Sequence, residues 1–230
     1  MSIALALPVE LLGLLFSGIF AVVIAPMFPG GEAEVMRLTH LLEQWMQMPP
    51  TDMDDVLTVV ASPVVLVILG LTLSIITPII EEFGKTLVMG MMGLWQHPSL
   101  LQSFLWGAAC GLGFALVEGI TNGALGLGEV MGWLGGAGSR VLATAMHMLT
   151  GGVVGLGWGL LWHKRWWALP LTYVGAVLFH GLWNLNVILS IGGTGIGEAT
   201  SPMGYVLVVI GAGMQLVLIL LTPIGLIGIP

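Results

Sequence analysis

Charge is what this chain has least of. Twelve acidic and five basic residues are all that its 230 positions carry, 7% in total, where a water-facing shell needs about a quarter. That deficit excludes an ordinary soluble globule. The net charge of −7 excludes a nucleic-acid surface and a basic patch for anionic lipid. Cysteine is nearly absent as well. Cys110 stands alone in an apolar run, so no intrachain disulfide can form, and it reads as a small buried hydrophobe. Basic residues ahead of the first apolar stretch are also missing, so that stretch reads as a retained span rather than a signal peptide. No internal repeat or low-complexity linker breaks the chain, and residues 1–230 read as one domain.

What is present is apolar: hydrophobic residues make up 57%, and the mean hydropathy is +1.05. The fold class expected is all-α, a polytopic transmembrane bundle. Apolar stretches near the length of a bilayer span fall at about 3–27, 64–94, 101–123, 139–162, 169–191 and 203–228. Residues 56–95 are about twice as long as a bilayer core is thick. A turn at Thr77-Pro78 would make two spans of them and seven in all; one long helix kinked near Pro78 gives six, and is preferred. Between the first two spans, Val35, Leu38, Leu41, Leu42 and Trp45 recur at helical spacing opposite Glu34, Arg37 and Glu43. This predicts an interfacial amphipathic helix over 32–48, ended by Pro49-Pro50. Thr51 or Asp52 would cap the next helix.

Lys164-Arg165 is the only basic pair in a loop, flanked by Trp162, Trp166 and Trp167, which places that loop in the cytoplasm. Six spans then put both termini inside and the acidic 28–55 segment outside. Glycine stripes at Gly107/Gly111 and Gly151/Gly155/Gly159 predict closely packed helices.

Each ionisable side chain at bilayer depth costs about 2.5–3.5 kcal/mol on insertion scales, so its presence asks for a reason. Glu81, Glu82 and Lys85 lie on the second span, Glu118 on the third, Arg140 and His147 on the fourth, His180 and Asn184 on the fifth. Taken singly they have ordinary explanations: a structural Glu81–Lys85 pair, a snorkelling Arg140, a packed His180, Asn184 as interhelical glue. Eight on four helices are harder to explain as separate packing events. Glu10 reads as interfacial or packing, and His40, His97 and His163 as solvent-facing.

Two chemistries fit the set. Glu118, His147 and His180 are the two-histidine, one-carboxylate ligand type of a catalytic zinc, with Glu81 or Glu82 as base toward water and Asn184 as oxyanion donor. Alternatively, the paired glutamates activate water without a metal. If Lys85 neutralises Glu81 four residues away, Glu82 is left as the carboxylate suited to base chemistry. Glu81 and His180 would lie near the midplane, with Glu118 and His147 in the outer half, about 10 Å apart in depth. The site would then open outward. A proton-coupled transporter and a non-catalytic membrane scaffold remain as alternatives.

The order of the motifs adds to this reading. Glu81-Glu82-Phe83-Gly84-Lys85 matches EExxK, and Gly113 to Glu118 matches GFAxxE. Arg140 to His147 matches RxxxxxxH, and His180 to Asn184 matches HxxxN. On successive spans over about 64–191, these resemble the PrsW family of intramembrane proteases, related to the CAAX-prenyl proteases and bacteriocin-processing enzymes. The resemblance implies catalytic Glu81 and Glu82, with Glu118, His147 and His180 completing the site and Asn184, Lys85 and Arg140 supporting it. It implies zinc or another divalent metal, or a glutamic mechanism. It also implies a membrane-anchored protein substrate such as an anti-sigma factor, and a prokaryotic plasma (inner) membrane location.

Overall fold

The computed structural model describes residues 25–27, 29–48, 70–96, 98–123 and 130–195, together with positions 19, 22, 23, 65 and 67. Among these residues the regular structure is helical and there is no strand. The spans expected at 3–27 and 203–228, apart from those few positions, lie outside the described residues, as do Glu10, His97 and the caps at Thr51 and Asp52.

Among the described residues, five α-helices follow one another: α1 (Gly31–Gln47), α2 (Thr77–Gln96), α3 (Leu100–Gly123), α4 (Val130–Trp162) and α5 (Ala168–Gly195). Three stretches of them are long and apolar enough to cross a membrane: Leu100–Ile120, Arg140–Trp162 and Ala168–Ile188. Helix α2 is of similar length but carries Glu81, Glu82 and Lys85. Residues 70–96 are helical without a turn, as the single kinked helix requires. The irregularity falls just before the proline, as a π-helical segment at Thr72–Ile76. Proline has no N–H to continue the i→i−4 ladder, and a π turn is one way a helix absorbs that loss.

Two compact units are distinguished. One includes Thr77–Gly181, and the other includes Leu14–Ile76 and Leu182–Leu216. In the second unit, α1 has the predicted amphipathic character. Val35, Leu38, Leu41 and Trp45 are half-buried, and Arg37 holds Glu34 at 2.5 Å on the exposed side.

In the first unit, α3 and α4 meet along the two glycine stripes. A Cβ on Gly107 would run into the Gly151 carbonyl, and one on Gly111 into the His147 carbonyl. Small residues let two backbones approach this closely, and close approach is what holds helices together where lipid removes the hydrophobic drive. Gly107→Val should therefore force α3 and α4 apart, at a cost of about 1–3 kcal/mol or more. A Cβ on Gly175 of α5 would meet nothing within 4 Å, so Gly175→Val is the control. Thermal melting in detergent should fall for the first variant and hold for the second; equal melting would contradict the packing account. A short turn after α4 carries Lys164 at φ 65°, and Trp166 and Trp167 beside it are exposed. His163 and His40 face outward, as expected.

Candidate active site

Helix periodicity puts Glu81, Glu82 and Lys85 within one turn of α2, and all three are buried. Lys85 Nζ binds Glu82 Oε1 at 2.6 Å and stands 4.0 Å from Glu81 Oε2. The ion pair expected between Glu81 and Lys85 is present but long, and the closer bond goes to Glu82. The reason lies on α4: Lys85 Nζ also donates to His147 Nδ1 at 2.7 Å, and its ammonium sits over the Phe114 ring at 4.9 Å. The position that serves Glu82, His147 and the ring together leaves Glu81 at the longer distance.

The bonding fixes the tautomers. An ammonium can only donate, so His147 Nδ1 accepts, and its Nε2–H donates to Glu118 Oε2 at 2.8 Å. Glu118 Oε1 in turn takes Arg140 Nη1 at 3.2 Å. On α5, His180 Nδ1 donates to Glu82 Oε1 at 2.7 Å, and its Nε2 faces Glu81 Oε2 at 3.6 Å. The two imidazoles meet edge to face at 4.9 Å. Each histidine therefore has one ring nitrogen held by a carboxylate, His147 by Glu118 and His180 by Glu82. Carboxylate support of this kind orients histidine ligands in metal sites.

Two participants were not singled out from sequence. Thr150, three residues beyond His147, donates to Glu82 Oε1 at 3.0 Å. Its spacing put it on the same turn, but a threonine on a membrane helix has too many other uses to stand out. Phe114 was noted for its motif and for lying four residues before Glu118, with no role assigned. Glu82 Oε1 thus accepts from Lys85, His180 and Thr150, while Glu82 Oε2 is buried without a hydrogen bond among the described residues.

The donor set suits a metal. Glu81, His147 and His180 are buried, and one ligand atom from each lies within 4.8 Å of the others. Two ligands of a tetrahedral zinc stand about 3.3–3.4 Å apart for bonds near 2.0–2.1 Å. The 3.6 Å between His180 Nε2 and Glu81 Oε2 is close to that spacing. The expected ligand Glu118 is placed on the far nitrogen of His147, paired with Arg140. Asn184 donates to the backbone carbonyl of Leu73 at 2.8 Å.

Membrane helices that enclose a buried pair of histidines with a converging carboxylate define the class of membrane-embedded hydrolases with a candidate metal site. A family model described as PrsW family intramembrane metalloprotease matches residues 5–215. The chain belongs to that family: it is an integral membrane protease, and its substrate is a membrane protein within the bilayer. Comparisons with curated proteins and with solved structures return no match.

Proposed function

We propose that the chain is an endopeptidase that cuts a membrane-anchored protein, such as an anti-sigma factor, in a prokaryotic plasma membrane. Six spans, a cytoplasmic Lys164-Arg165 loop and a site opening to the extracytoplasmic side complete the reading. The observation that carries it is the buried convergence of Glu81, His147 and His180 beside a carboxylate oxygen with no hydrogen bond, Glu82 Oε2.

Glu81, His147 and His180 would hold a divalent cation, zinc by the character of the donors, with His147 Nδ1 giving up its bond from Lys85 to bind it. Such an ion supplies a lowered water pKa and polarises a carbonyl. Glu82 Oε2 accepts the proton of the attacking water and returns it to the leaving amine. Lys85, His180 and Thr150 all bind the other oxygen of Glu82, so the carboxylate is held through Oε1 and Oε2 is left for the proton. Glu118 holds the His147 ring, and Arg140 holds Glu118.

The test is cleavage of a single-pass membrane protein by the purified chain in liposomes. Two fragments are expected, lost on treatment with a chelator and regained on adding zinc. Uncut substrate together with a Glu118-dependent proton flux would overturn the protease reading in favour of a transporter.

A further inference from the structure

The π-helical segment Thr72–Ile76 leads directly into the helix that carries Glu81 and Glu82. In π geometry the carbonyl of residue i takes the N–H of residue i+5. For Leu73 that residue is Pro78, which has no N–H to give. A backbone carbonyl left without a donor away from water costs about as much as a lost hydrogen bond, and more in lipid. Asn184 Nδ2 donates to the Leu73 carbonyl at 2.8 Å. Asn184 is one helical turn beyond His180 on α5, the last position of the HxxxN motif.

We infer that Asn184 is a positioning residue: it substitutes for the N–H that Pro78 lacks, and so holds the Thr72–Ile76 turn from which the helix bearing Glu81 and Glu82 starts. The motif pair thereby couples two jobs on one helix face, with His180 at the site and Asn184 on the Leu73 carbonyl. This inference rests on the roles of Glu81 and Glu82 proposed above. It differs from an oxyanion-donor role for Asn184 in one decisive respect. Restoring an N–H at position 78 should make Asn184 dispensable, whereas no backbone N–H at 78 replaces a donor aimed at substrate.

The experiment compares wild type, Asn184→Ala, Pro78→Ala and the double variant, each full-length and monodisperse in detergent. Cleavage of a single-pass reporter and equilibrium zinc binding are measured on the folded fraction. Asn184→Ala should lower kcat about tenfold or more, with KM little changed and zinc binding weakened. Pro78→Ala alone should stay near wild type, and the double variant should recover both kcat and zinc affinity. A loss of kcat that Pro78→Ala does not restore, with zinc binding intact, would overturn the inference and return Asn184 to substrate contact. Wild-type kcat in the folded fraction of Asn184→Ala, with only the yield reduced, would overturn it as well. If Glu81→Ala retained zinc, the ligand reading would fail instead, and the recovery of kcat would still decide the role of Asn184.

Discussion

Glu82→Gln should lower kcat by about 10²–10⁴-fold, the range for loss of a positioned general base, and leave KM and bound metal nearly unchanged. The substitution is close to isosteric. The amide oxygen can still accept from His180 and Thr150, which bind Oε1 at 2.7 and 3.0 Å. What it removes is the basic oxygen, Oε2. It also removes the charge that Lys85 neutralises at 2.6 Å in a fully buried pair. Breaking such a pair from one side costs about 3–5 kcal/mol of stability. The rate must therefore be measured on protein shown to be folded by melting. Retained cleavage in folded Glu82→Gln would move the base to another group.

His180→Ala should have the second large effect, of a different kind. Its imidazole faces Glu81 Oε2 through Nε2 and holds Glu82 Oε1 through Nδ1, so truncation removes a ligand and loosens the base in one step. Losing an outer partner of a metal ligand typically costs about 10–100-fold in affinity or activity, and losing a ligand should cost more. Cleavage and metal should disappear together. Cleavage lost with metal fully retained would mean that His180 acts only through Glu82.

Much of this was readable in the residues, because bilayer physics restricts what a sequence can do. Apolar runs of span length gave α3 within one residue of its observed start, Leu100. The glycine stripes gave close helix packing, and the structure shows that α3 and α4 are the helices that meet along them. Helix α4 starts earlier than hydropathy indicates, at Val130, because its backbone runs on through Gly135, Gly136 and Gly138. Glycine disfavours a helix in water, but lipid requires every backbone group to bond internally, and a helix does that.

The site was legible as a set of residues and less so as a set of distances. Spacing puts Glu81 and Glu82 on one turn but does not give the rotation of α2 against α4 and α5. That rotation brings Glu81, rather than Glu118, to the common space with His147 and His180. It likewise draws Lys85 to Glu82, because the competing partners, His147 and the Phe114 ring, come from elsewhere in the chain. Pro78 signalled a kink. What the structure shows there, a π segment with a side-chain donor 111 residues away, needed the fold.

The central claim is that Glu81, His147 and His180 hold the ion while Glu118 acts through His147. Metal analysis of purified Glu81→Ala and Glu118→Ala, side by side in the same detergent, tests it most directly. The account predicts that Glu81→Ala emerges without metal and that Glu118→Ala retains it at reduced affinity. Metal kept by Glu81→Ala and lost from Glu118→Ala would contradict it.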